Sequence, residues 1–177
     1  MTVSPPPRTL RTNARSALRA DSLIRTALLA QLSAPGGEVW LVSAWVSDVD
    51  LVDNADGSFD YLLGEDPPLR CRLSDLLLML ANSGTAVRVV TQDAAANALF
   101  LERLALGRDE GTDLQVFPDQ VIHEKSLVGP GWMFEGSMNF TRNGLARNKE
   151  KITYSLDAPA AAQAIVDYQH EWTARGV

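Results

Sequence analysis

One cysteine, two histidines and three lysines are all that this chain of 177 residues holds of the side chains that build disulfides, soft-metal sites and lysine-rich surfaces. The lone Cys71 excludes an internal disulfide and suits a reducing compartment; as a small side chain it fits a partly buried position. Two histidines and one cysteine are too few soft ligands for a zinc site. No apolar run approaches the ~20 residues that span a bilayer. The N-terminal stretch "MTVSPPPRTLRTNARSALRADS" has arginines but no continuous apolar segment, so it does not read as a secretory signal. The expectation is a cytoplasmic protein without a membrane partner.

Positive charge is also scarce. The net charge is −6, yet residues 1–32 carry five arginines (Arg8, Arg11, Arg15, Arg19, Arg25) against Asp21 alone. An acidic chain binds nucleic acid only through a local basic face, because counterion release needs clustered Lys and Arg. Two segments offer one: the Arg-rich N-terminus, and Arg142, Arg147, Lys149 and Lys151. Each is equally compatible with a solvated surface.

The length fits one domain that buries roughly two-thirds of its unfolded surface. Residues 1–14, with Pro5-Pro6-Pro7, are expected to form a flexible arm, and 15–177 a single domain. Apolar residues recur at helical spacing from about Ser16 to Leu32, and Pro35-Gly36-Gly37 ends that helix. "EVWLVSAWV" reads as a buried strand. Residues 47–68, rich in Asp, Gly and Pro, read as a long loop; its "DNADGSFD" only distantly resembles a calcium loop, since the oxygen spacing and the closing glutamate are wrong. "LSDLLLMLANSG" reads as a helix with Ser74 as its cap, "AVRVVTQ" as a strand, "DAAANALFLERLAL" as a helix and "LQVF" as a strand. This β–α–β alternation argues for an α/β fold with a mostly parallel sheet covered by helices. Strands at "VIHEKSLVG", "GWMFEGS" and "EKITYSL" follow, then a C-terminal helix opening at Asp157 with Pro159 in its first turn.

The chemistry concentrates in "VIHEKSLVGPGWMFEGSMNFTRNG", residues 121–144. Its Gly-x4-Gly is not a phosphate loop, because Ser137 and Met138 stand where Lys and Ser/Thr belong. Ser137 lies in Gly-Ser-Met-Asn and not in the Gly-x-Ser-x-Gly elbow of a serine hydrolase. On a strand, His123 and Lys125 would leave the same face: a proton carrier near neutral pH beside a fixed positive charge. Ser137 offers a hydroxyl and Asn139 an amide at the entrance to the next helix, and lysine, serine, asparagine and helix-start N–H groups together suit phosphate oxygens. Glu150, on the following strand, is placed to accept a bond from the imidazole.

His123-Glu124-Lys125, then a strand, then Gly136-Ser137-Met138-Asn139 and, after "RNGLARNKE", Glu150, resemble the signature of the phospholipase D superfamily. The resemblance implies a mixed β-sheet flanked by helices on both faces and a two-step displacement at phosphorus. One histidine attacks to form a phosphohistidine, and a second protonates the departing oxygen. It implies that His123, Lys125, Asn139 and Glu150 are catalytic, that Lys125, Ser137 and Asn139 bind the phosphate, and that no metal cofactor is needed. The family's fuller motif continues to a supporting aspartate, whose place here is taken by Pro130. The chain has one His-x-Lys where the chemistry needs two, and Gln169-His170-Glu171 lacks the lysine. A two-fold homodimer would supply the second.

The implied function is a metal-independent phosphodiesterase, foremost a nuclease acting on DNA. The size and motif are similar to those of phospholipase D-like proteins of bacterial genome-defence clusters, including those tied to 7-deazaguanine DNA modification, where further subunits would be partners. Two alternatives stay open: a non-catalytic subunit that binds phosphate backbone, and transfer to an alcohol in place of water. Trp40 and Trp45, five apart on the first strand, read as core or interface aromatics, and Trp132, Phe134 and Phe140 as packing beneath the motif. Ser43 and Ser47, near that strand's end, could border the pocket but read better as ordinary polar residues, and His170 reads as a helix-surface or packing residue.

Overall fold

A computed structural model describes residues 5–12, 19–146 and 150–173. In chain order the elements are β1 (Arg8–Thr12), α1 (Ala20–Ser33), β2 (Glu38–Ser43), β3 (Asp50–Asp53), α2 (Asp60–Leu63), β4 (Arg70–Arg72), α3 (Leu73–Asn82) and β5 (Ala86–Thr91). A short 3-10 turn at Ala95–Asn97 leads into α4 (Ala98–Leu106), then β6 (Leu114–Pro118), β7 (Lys125–Gly129), β8 (Trp132–Gly136), α5 (Arg142–Ala146), β9 (Glu150–Ser155) and α6 (Ala158–Tyr168). A π-helical turn, Gln169–Thr173, continues α6.

Seven strands form one sheet in the order β1-β9-β8-β7-β2-β5-β6. Only β2–β5 and β5–β6 are parallel, each joined by a helical crossover. The sheet is therefore mixed, and not mostly parallel. The chain returns from β7 to β8 in two residues, Pro130-Gly131, too few for any crossover, and Gly131 (φ 82°) takes the left-handed conformation a tight turn needs. Strand β2 explains why both faces are covered. Val39 and Leu41 point into one core with α1 and α3, while Trp40 and Val42 point into a second core with Tyr168 and Trp172.

Three expectations are corrected. The segment expected to be an arm contains β1, which pairs antiparallel with β9 from Arg8↔Tyr154 to Thr12↔Glu150. A free strand edge and the half-buried Leu10 outweigh the upstream prolines. The loop expected over 47–68 contains β3 and α2, and β3 pairs with β4 in a two-stranded sheet. Leu51 and Val52 there join the core, and buried Asn54 ties the connection by accepting from Phe59 N (2.8 Å) and donating to Asp60 Oδ1 (2.8 Å). Helix α3 starts after Arg72, whose N–H donates to Asp75 Oδ2 (2.8 Å), so Ser74 lies inside the helix and is not its cap. The Ser74 backbone N–H instead meets Asp48 Oδ1 at 3.0 Å, and Asp48 Oδ2 pairs with Arg103 at 2.9 Å. At the other end of the chain, Asp157 caps α6 through Ala160 N (3.2 Å).

Candidate active site

The candidate residues gather at one end of the sheet, where β2 and β8 finish and β7 and β9 begin. Ser43, the last residue of β2, pairs with Lys125, the first of β7. Ser126 then pairs with Glu135, and Gly136 with Ile152. The carboxyl ends of parallel strands are where open α/β sheets bind ligands.

His123 precedes β7, which starts at Lys125 and not at Val121 as expected. Strand alternation therefore does not align the two side chains. The link is the Lys125 Nζ, which donates to the His123 carbonyl at 2.5 Å. The His123 side chain is exposed while Ile122 before it is buried, so the loop is anchored by the isoleucine and offers the imidazole to solvent. Asn139 Oδ1 accepts from Ser43 Oγ (3.3 Å), which leaves the amide nitrogen as the donor side of that group. Ser43 is fully buried and bonds the Trp45 carbonyl as well (3.0 Å). Ser43 thus joins the lysine strand to the asparagine loop, where the sequence offered a pocket border only as the weaker reading beside an ordinary polar residue. Its position at the end of a buried parallel strand was the available signal.

Ser137 donates to Glu150 Oε2 at 2.5 Å and accepts from Lys151 N at 3.1 Å. The contact this places on the Glu150 carboxylate is with the motif serine; among the described residues no hydrogen bond joins it to the imidazole. Gly136 is a steric necessity here: a Cβ on it would lie 2.0 Å from the Lys151 carbonyl oxygen. Pro130 occupies the turn at the far end of β7 and packs against Gly37, away from Lys125. The place of the motif aspartate thus falls in a turn, at the other end of β7 from Lys125. His170 is exposed in the π-helical turn. No group of three or more His, Cys, Asp or Glu among the described residues is arranged to hold a metal ion.

The loop after β2 is held by Asn97. Its Oδ1 accepts from Val46 N (2.9 Å), and its Nδ2 lies 2.9 Å from the Ala44 carbonyl, 2.9 Å from Thr91 Oγ1 and 2.7 Å from the Gln92 carbonyl. Ser47 N then bonds the Phe140 carbonyl at 2.9 Å, tying this loop to the asparagine loop. Asn97→Ala strands several buried backbone groups and should cost about 2–4 kcal/mol, read as a lower denaturant midpoint with unchanged slope. Trp40 is fully buried, as a core aromatic would be, but Trp45 is 46% exposed at the edge of this loop.

On the opposite face of β7, Glu124, Ser126, Glu135 and Tyr168 form a polar cluster. Desolvation, and then the Glu124 charge, raise the Glu135 carboxyl above its ordinary value. A carboxyl raised on folding lends stability in acid and loses it as pH rises through its folded value. Glu135→Gln should therefore raise the melting temperature near neutral pH, with the gain vanishing below the ordinary glutamate range.

Two basic segments that the sequence left apart become neighbours. Arg11 on β1 lies directly opposite Lys151 on β9, both are exposed, and the Lys151 backbone N–H bonds Ser137 Oγ. Arg142 opens α5, whereas Arg15, Arg147 and Lys149 lie outside the described residues.

The family model described as "Cardiolipin synthase, PLD-like domain" matches residues 28–172. The chain belongs to the phospholipase D-like family. Its fold is similar to that of NucT from Helicobacter pylori (12% identity, TM-score 0.59, covering 93% of this chain and 94% of that one). It is also similar to Nuc, a phospholipase D family member from Salmonella typhimurium (13%, 0.55, 97% and 97%). TrmBL2, described as an archaeal chromatin protein with a novel mode of DNA binding, shares the fold at 12% identity and TM-score 0.53, over 94% of this chain and 52% of that one. A comparison with curated proteins finds no match. No helix among the described residues is long and apolar enough to cross a membrane.

Proposed function

We propose that this phospholipase D-like chain is a metal-independent phosphodiesterase that cleaves nucleic acid, DNA foremost, at a site shared by two copies of the chain. The observation that carries the reading is the corner at which Lys125 bonds the His123 carbonyl and pairs across strands with Ser43, which in turn holds Asn139. His123 of one copy attacks phosphorus; the phosphorus–oxygen bond breaks, and the leaving oxygen takes a proton from the second copy's histidine. That histidine then removes a proton from water, which attacks phosphorus and releases the first. Lys125 and the Asn139 amide nitrogen stabilise the charge on the non-bridging oxygens. Ser137, bonded to Glu150, completes the phosphate cradle.

Arg11 and Lys151 support a polyanionic substrate, since a single small phosphodiester would not need a cationic edge beyond the cradle. The position of Pro130, remote from Lys125, supports retained catalysis over a backbone-binding subunit. A bacterial genome-defence setting, expected from sequence likeness, is part of the proposal. The test is cleavage of plasmid and of a bis-aryl phosphate in EDTA, with the mass in solution measured by light scattering. Full activity with chelator and a dimeric mass are expected. Activity abolished by EDTA and restored by magnesium, or cleavage by a monomer, refutes the mechanism.

A further inference from the structure

The loop that carries His123 is held at both ends by one turn of the C-terminal helix. At its start, Trp172 Nε1 donates to Asp119 Oδ2 (3.1 Å), and Asp119 Oδ1 accepts from Val121 N (3.0 Å). At its end, the Tyr168 hydroxyl donates to Glu124 Oε1. Ser126 Oγ closes a triangle with them, 3.0 Å from the same Glu124 oxygen and 2.7 Å from the Tyr168 hydroxyl. Ile122, midway, is buried in the same cluster as Tyr168 and Trp172.

The anchor is rigid. Tyr168 and Trp172 are four residues apart, their ring centroids lie 5.4 Å from each other, and both pack on the fully buried Trp40, at 5.6 and 6.2 Å. Burial, with the Glu124 carboxylate behind it, raises the Tyr168 hydroxyl well above the ordinary tyrosine value, so the group stays a donor. Glu124 is the middle residue of His-x-Lys. Its side chain is tied to the α6 face of the sheet, so its backbone is fixed, and with it the carbonyl of His123 that Lys125 grips. A π-helical turn carries Trp172 to its partner, and such turns recur at functional sites.

We propose that Tyr168 is a positioning residue for the His123 reaction, acting through Glu124, with Trp172 holding the other end of the loop. This rests on the phosphodiesterase reading above. Neither aromatic touches the phosphate; they set where the imidazole sits relative to Lys125 and Asn139. Misplacement of a reacting group by about 1 Å can cost 10²-fold in rate.

The test compares Tyr168→Phe, Glu124→Ala, Glu124→Gln and the Tyr168→Phe/Glu124→Ala double variant of the full chain, on a bis-aryl phosphate. Tyr168→Phe keeps the ring in its core and deletes only the hydroxyl. It should lower kcat by about tenfold to a hundredfold with KM within about twofold. The melting temperature should be little changed. Glu124→Gln keeps an acceptor for Tyr168 and should retain most of the rate that Glu124→Ala loses. The double variant should be no worse than the poorer single one, because both act through one contact. The ring resonances of His123, assigned by their loss in His123→Asn, should shift in Tyr168→Phe, a readout independent of turnover. A stable Tyr168→Phe protein with wild-type kcat and unmoved His123 signals overturns the proposal and leaves the phosphodiesterase reading standing. So do additive losses in the double variant, or Glu124→Gln as impaired as Glu124→Ala. A wild-type protein that cleaves neither the aryl ester nor DNA overturns the phosphodiesterase reading, and the positioning role falls with it.

Discussion

His123→Asn should abolish phosphodiester cleavage, with a loss of about 10⁴-fold or more, because in the proposed mechanism it removes nucleophile and acid from both halves of a symmetric site. The melting temperature should stay within about 2 °C of wild type, since the imidazole is exposed and its loop is anchored by neighbours on either side. Mixed dimers make the stronger measurement. When wild-type and His123→Asn chains are co-expressed with different tags, the purified heterodimer should be inactive, because one histidine cannot both attack phosphorus and protonate the group that leaves on the other side. A heterodimer with half the wild-type rate would mean that each chain holds a complete site. The shared-site mechanism would then be wrong, although His123 could still be the nucleophile of a self-contained one.

The elements that were legible in the sequence are those whose signal is local. The periodic apolar residues of α1 and α3, the β-branched runs of β2 and β5 and the Asp157 cap with Pro159 each declare themselves within a few residues. What stayed hidden depends on partners far along the chain. Strand β1 exists because β9 presents an edge some 140 residues later, and the short β3 because β4 and the core beneath it accept Leu51 and Val52. Ser43 looked ordinary because its distant partners, Lys125 and Asn139, come from the last third of the chain. Glu124 was hidden in the same way. Within His-Glu-Lys it is a spacer by composition, and only the return of α6 across β7 brings Tyr168 to it. The strand expected over His123 was misplaced for a related reason: "VIHEKSLVG" has strand composition throughout, but Ile122 and Glu124 are drawn to the helix and the ladder begins only at Lys125.

Lys125→Ala should lower kcat by about 10²–10³-fold, or ~2.7–4 kcal/mol, if the ammonium acts as a fixed donor to the charged oxygens of the transition state. The structure adds a second expectation. Because Nζ holds the His123 carbonyl at 2.5 Å, removing it frees that carbonyl as well as withdrawing the positive charge. In the proposed mechanism Lys125 thus has two roles, placing the histidine loop and holding the phosphate. Lys125→Arg therefore separates the two roles. It keeps a positive charge for phosphate, but a planar guanidinium is a different donor from a compact ammonium and fits the carbonyl bond differently. Weak inhibition by inorganic phosphate should survive in Lys125→Arg and be lost in Lys125→Ala, while the rate falls in both. His123→Asn should bind phosphate nearly as well as wild type, since it retains the cation. If Lys125→Ala bound phosphate as tightly as the parent chain and lost only rate, the lysine would be serving the loop and not the anion. The charge stabilisation assigned to it would then have to come from Asn139 and the Arg11–Lys151 edge.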